Sequence, residues 1–177
     1  MTQPRFLQAL ADREAVEVKM NDVGFVSFIS TGCKAIGTQD LNGCMAVIMA
    51  SSQGAVLAHI SPLPRCTTDP DASINHTREF MAKFVRMFHD NLGGLELKNS
   101  VLVYAMFQGQ VGMPDQRDFI NSVLLENVNE DQFPREYSYT VRPGGHPDPA
   151  KGTVFIDGRA GRPKLYVEDI ERELLRP

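Results

Sequence analysis

Two apolar runs, Cys44 to Ala50 and Ala55 to Ile60, stand either side of Ser51-Ser52-Gln53-Gly54. They limit the fold more than any other feature of the chain. Four residues of that composition make a turn of hairpin length, so the runs read as two antiparallel strands. A strand with one wet face alternates apolar and polar residues. These runs do not alternate, so the sheet that holds them is expected to be covered on both sides.

The flanking segments supply the cover. Val16 to Met20 alternates apolar and charged residues and reads as a half-buried strand, Asn21-Asp22 as a turn, and Gly24 to Ile29 as a further strand. Ser30 to Asn42, rich in Gly, Thr and Asp, reads as a loop. Pro4 suits a first helical position, and Phe6, Leu7, Leu10 and Ala11 share one face of a short helix over residues 4 to 11. From Ile74 to Leu92, Phe80, Met81, Phe84, Val85, Phe88 and Leu92 follow helical spacing, and Gly93-Gly94 ends the helix. Val101 to Phe107 is a buried strand, and Asp115 caps a second helix carrying the stripe Phe119, Ile120, Val123 and Leu124. Glu136 to Arg142 alternates again, Val154 to Ile156 is a short strand, and Leu165 to Leu175 mixes strand with short helix. This order predicts an α/β fold: a layered sandwich with a mixed, largely antiparallel sheet covered by helices, one domain over residues 1 to 177.

Composition narrows the function. Eighteen basic against 22 acidic residues, a formal charge of -4, and no Lys/Arg block argue against nucleic-acid binding. No window approaches the 18 or so apolar residues of a membrane span, and the first residues lack a signal-peptide core. Three scattered cysteines make no disulfide framework and fit a reducing, cytoplasmic location.

One of those cysteines has a partner. Cys44 opens a strand directly after a flexible loop, and His59 lies near the end of the next. If Ala50 faces Ala55 across the turn, Cys44 opposes Ser61 and His59 is its diagonal neighbour. A register slipped by two sets Cys44 directly against His59. Either way the two share a face, at roughly 5 to 8 Å between backbones; a slip by one would separate them. A thiol beside an imidazole is the arrangement for acyl transfer, because the imidazole generates the thiolate nucleophile. Backbone N–H groups at the loop-to-strand junction, those of Gly43 and Cys44, are placed to meet a developing oxyanion, with Asn42 in the same loop. Thr38, six residues before Cys44, is a candidate to orient the imidazole through its other nitrogen. From the residues alone the alternative stays open that Cys44 is an inert buried thiol and His59 a structural residue.

The segment resembles the catalytic core shared by the bacterial chemoreceptor glutamine deamidases (CheD-like) and the cytotoxic necrotizing factor-type toxin deamidases. Those families carry Leu-Ser-Gly-Cys or Leu-Gly-Ser-Cys where this chain has Leu41-Asn42-Gly43-Cys44. An apolar strand follows, as in Met45-Ala46-Val47-Ile48, and a second strand ends in a histidine with prolines soon after, as in His59-Ile60-Ser61-Pro62-Leu63-Pro64. The match extends over about 30 residues. It implies Cys44 as nucleophile, His59 as base and acid, Thr38 as the residue orienting His59, and a protein substrate presenting a glutamine, with no cofactor or metal. Asn42 departs from the small Ser or Gly of the families. The alternatives are a related thiol amidase or transferase, and a protein-binding domain that keeps the fold without turnover. A catalytic Cys44 is expected to label with iodoacetamide faster than Cys33 or Cys66 at mildly acidic pH.

Other residues carry weaker readings. Cys33 and Cys66 belong to no Cys-x-x-Cys pair or common zinc spacing. His76 and His89 fall near one face of the long helix as boundary residues, while Phe80, Phe84 and Phe88 read as core. Arg142 to Pro147 is an irregular loop able to line a site. Gly158-Arg159-Ala160-Gly161-Arg162 resembles a phosphate nest only loosely, and the acidic residues from Glu126 to Asp131 read as a solvated helix end.

Overall fold

The computed structural model describes residues 2–93, 99–127 and 133–175. In chain order its elements are helix α1 (Arg5–Ala11), strands β1 (Val16–Glu17), β2 (Asp22–Ser27), β3 (Ala35–Thr38), β4 (Met45–Ala50) and β5 (Gly54–Ile60), helix α2 (Ala72–Leu92), strands β6 (Asn99–Phe107) and β7 (Gln110–Val111), helix α3 (Pro114–Asn127), and strands β8 (Arg135–Thr140), β9 (Val154–Asp157), β10 (Lys164–Val167) and β11 (Ile170–Arg172).

The strands form two sheets, and with the helices they make the expected layered α/β sandwich of largely antiparallel strands. The first runs β1-β3-β9-β10-β11; the second runs β2-β5-β4-β6-β7, with β8 also paired to β6. Most pairs are antiparallel, and β1–β3 and β6–β8 are parallel. The chain returns from β6 to β8 through β7 and helix α3, the long crossover that a parallel pair requires.

Each face of the central hairpin is buried, for the reason its composition gave. Met45, Val47, Met49, Val56, Ala58 and Ile60 pack on Phe80, Met81, Phe84, Phe88 and Leu92 of α2 and on Ile120 and Leu124 of α3. Ala46, Ile48, Ala50, Ala55 and Leu57 point the other way, into a core shared with Ile36, Val154, Ile156, Leu165 and Val167 of the facing sheet. A third cluster, Phe6, Ala9, Ala35, Phe155 and Tyr166, seats α1 on the outer face of the first sheet. The layers therefore run helices, sheet, sheet, helix.

Three sequence expectations change. The Ser30 to Asn42 stretch is not all loop, because Ala35, Ile36, Gly37 and Thr38 form β3 and are fully buried. Two small residues and a threonine hide that strand from a hydrophobicity pattern, yet Gly37 belongs there for a reason. A Cβ at Gly37 would lie 2.6 Å from the Phe6 ring and 2.7 Å from the Val154 carbonyl oxygen. The Leu165 to Leu175 stretch contains β10 and β11 with no helix among its described residues. Pro114 takes the first position of α3 and Asp115 falls inside the first turn, where a carboxylate favours the helix dipole without being the cap. Gly94 and positions 128–131 of the acidic cluster lie outside the described residues.

Gly37→Ala is expected to lower the unfolding free energy by about 1–3 kcal/mol, the usual cost of overpacking a filled core. Urea denaturation of the two proteins measures it.

Candidate active site

The register of β4 on β5 decides what Cys44 can meet. Met45 pairs with Ile60 and Ala46 with His59, the first of the two registers left open by the sequence. Cys44, one residue before β4, is thus on the face of Ala46 and is the diagonal neighbour of His59. That face points between the two sheets. Both side chains are removed from solvent, with Cys44 7% and His59 1% exposed.

Thr38 reaches His59 from the opposite sheet. Its Oγ1 lies 2.7 Å from His59 Nδ1 and 2.7 Å from the carbonyl oxygen of Val18. A hydroxyl has one proton, and the Val18 carbonyl can only accept, so Thr38 gives its proton to Val18. Its lone pair then accepts from Nδ1–H. This fixes the imidazole tautomer: Nδ1 carries the hydrogen and Nε2 the free lone pair. His59 Nε2 is buried and makes no hydrogen bond, which is unusual for a buried polar atom.

The imidazole's backbone is fastened as well. The Asn21 N–H donates to the His59 carbonyl at 2.7 Å, and Asn21 Oδ1 accepts from Ser61 N–H at 3.0 Å. His76, buried beneath them, places Nε2 3.0 Å from the same oxygen and 3.2 Å from Ser61 Oγ. It is therefore part of the support for the His59 strand end. His89, by contrast, pairs with Asn127 at the exposed side of α2 and α3.

On the Cys44 side, one hydroxyl spans the loop. Tyr139 of β8 accepts from Gly43 N–H at 2.8 Å and donates to the Cys44 carbonyl at 2.7 Å. Gly43 has φ 121°, a conformation that side chains rarely adopt. The expectation that Gly43 N–H is free to meet an oxyanion is thus corrected, because this half-buried loop amide already has a partner in Tyr139. Asn42 is exposed, and its side chain makes two 3.0 Å bonds to the backbone of Arg142: Nδ2 donates to the carbonyl and Oδ1 accepts the N–H.

Burial sets the charge state of the pair. Desolvation pushes the Cys44 thiol up to about 11, with the Asn42 backbone N–H pulling weakly the other way. The same effect takes His59 down to about 4. At neutral pH these shifts leave both the Cys44 thiol and the His59 imidazole uncharged at rest. Of the three cysteines, Cys66 is exposed, Cys33 half-buried and Cys44 buried.

A cleft of about 360 Å³ opens beside the loop that precedes Cys44, lined by Gln39, Asp40, Asn42, His146, Asp148 and Lys151. The irregular loop after Arg142 thus does line a cavity, though one bordered by Asn42 rather than by Cys44 or His59. In the loose nest at residues 158 to 162, Arg159 is held by Asp157 and Glu14 and its N–H by Asp157, which leaves that guanidinium committed. Among the described residues no group of three His, Cys, Asp or Glu could hold a metal ion, and no helix is long and apolar enough to cross a membrane.

Sequence reasoning missed Val18, Asn21 and Tyr139. The first acts through its carbonyl, which leaves no mark on a sequence. For Tyr139 there was a signal: a tyrosine on the inward face of an alternating strand needs a partner for its hydroxyl.

No family profile matches the chain, and no curated protein sequence matches it. Among solved structures there is a weak match to the C-terminal domain of CNFy from Yersinia pseudotuberculosis. Its TM-score is 0.40 at 10% identity, covering 85% of this chain and 54% of that one. The chain thus spans about half the length of the structure it matches.

The buried imidazole gives a pH signature in stability. Between about pH 6.5 and 4 the unfolded chain binds a proton that folded His59 refuses, so stability falls as pH drops through this window. His59→Gln is expected to remove part of that slope, read as the difference between the two proteins in denaturant unfolding across that range.

Proposed function

We propose that the protein is a thiol-dependent amide hydrolase that deamidates glutamine side chains of a protein substrate. The observation that carries this reading is the tautomer lock. Thr38 fixes the Nδ1 hydrogen of His59 and leaves a buried, unpaired Nε2 lone pair on the face that Cys44 occupies. Most buried histidines with a purely structural role have both ring nitrogens satisfied. The glutamine comes from the resemblance of Leu41-Asn42-Gly43-Cys44 and His59 to the deamidase core.

Because thiol and imidazole are both neutral at rest, the nucleophile forms as it attacks. His59 Nε2 takes the Cys44 proton while the sulfur adds to the amide carbon, giving a tetrahedral oxyanion. The imidazolium then protonates the departing nitrogen, the C–N bond breaks, and ammonia leaves a thioester on Cys44. In the second half a water gives a proton to His59 and adds to the thioester carbon. The sulfur departs, recovers the proton from His59, and glutamate remains. Thr38 and the Val18 carbonyl hold the imidazole in the one tautomer that can do both transfers.

Ammonia release from glutamine-rich protein substrates tests the reading. Cys44→Ser is expected to abolish it to within a residual rate lower by on the order of a thousandfold. Release unchanged by Cys44→Ser would overturn the assignment, and incorporation of an added primary amine in place of ammonia release would make the protein a transferase. Thr38→Val, which frees the imidazole to adopt the wrong tautomer, is expected to lower the rate by about a hundredfold, within the range general acid–base catalysis supplies.

The acid limb of kcat/KM should fall near pH 4, where free His59 titrates, rather than at the ordinary histidine value. A pH–rate profile of the wild-type protein reads it directly.

A further inference from the structure

Residues 41 to 44 are tied, one after another, to a segment 95 or more positions away. Leu41 N–H donates to the Gly152 carbonyl at 3.0 Å. Asn42 exchanges two side-chain bonds with the Arg142 backbone, each 3.0 Å. Gly43 and Cys44 meet the Tyr139 hydroxyl at 2.8 and 2.7 Å. Of these attachments, those at Leu41, Gly43 and Cys44 engage the loop's own backbone. Asn42 is different: its attachment is made by a side chain, and the side chain is exposed.

The chemistry of that attachment is specific. A primary amide offers a donor and an acceptor side by side, which matches the C=O and N–H of one residue in extended backbone as a second strand would. The hydroxyl of a serine is too short and has a single proton, and glycine has nothing to offer. Arg142 follows β8, whose Tyr139 holds the Cys44 carbonyl. The Asn42 clasp therefore keeps the loop from peeling off the strand that sets the position of Cys44.

We propose that Asn42 is a positioning residue: its side chain, clasped to the backbone of Arg142, holds the nucleophile loop closed on Cys44 and aligned with His59. The inference rests on the proposed role of Cys44, and it gives the departure from the small Ser or Gly of the deamidase cores a purpose. Opening the clasp lets the loop move. Water then reaches the sulfur, which becomes easier to ionise and to alkylate, while the alignment needed for turnover is lost.

Iodoacetamide labelling of the folded protein, resolved by peptide mass spectrometry and followed against pH, tests this without any substrate. In Asn42→Ser the labelling of Cys44 is expected to accelerate about fivefold, the weight of a net hydrogen bond or so. Its pH midpoint moves down, while Cys33 and Cys66 serve as unchanged internal references. Arg142→Ala keeps the backbone groups that Asn42 holds, so its Cys44 profile should match the wild type. A wild-type profile in folded Asn42→Ser overturns the proposal. So does an equal shift in Arg142→Ala, which would assign the effect to the guanidinium.

Ammonia release separates this from the reading it rests on. If Cys44→Ser is inactive and Asn42→Ser loses kcat with KM unchanged, both stand. If Cys44→Ser retains full activity the deamidase reading fails, and the labelling profile still decides the clasp.

Discussion

The pairing of Met45 with Ile60, repeated down the hairpin to Ala50 with Ala55, sets Cys44 and His59 on one face, and the other groups of the candidate site are arranged around that pair. Side chains alternate along a strand, so a slip of one residue would send Cys44 and His59 to opposite faces. The slip is prevented by what covers the hairpin. One face carries methionines, valines and an isoleucine against the phenylalanines of α2, and the other carries smaller residues against the second sheet. Exchanging the faces would crowd one layer and leave gaps in the other. Packing thus holds the register, and the register holds the pair.

The second sheet does more than cover. Thr38 belongs to β3 and His59 to β5, so the bond that orients the imidazole crosses between the sheets. Sheet packing and tautomer choice are one constraint here. It explains why a threonine is 0% exposed between valines and isoleucines, since both of its polar capacities are used. The same burial keeps the thiol and the imidazole uncharged at rest and shields the thiol from oxidants.

How far the chain could be read without its fold depends on the kind of group involved. The long helix was legible from Phe80, Phe84 and Phe88, because helical spacing of large apolar residues is a strong signal. The hairpin was legible from its doubly apolar runs. Strand β3 was not, because Ala35, Gly37 and Thr38 carry little hydrophobicity of their own and owe their burial to Phe6 on one side and His59 on the other. Tyr139 and Asn42 were visible as residues, but their partners lie 95 and 100 positions away.

The sequence by itself determined that there is a hairpin apolar on both faces, that Cys44 and His59 share one of those faces when Ala50 meets Ala55 across the turn, and that Thr38 is a candidate to serve them. Local patterning reaches that far, because periodicity and turn length are properties of neighbouring residues. Tertiary structure alone decided that there are two sheets, that the imidazole is locked with Nε2 bare, that Gly43 N–H is already engaged, and that the resting pair is neutral. Each of those depends on desolvation or on a hydrogen bond between segments far apart in the chain, and the energy of such a contact belongs to the folded arrangement.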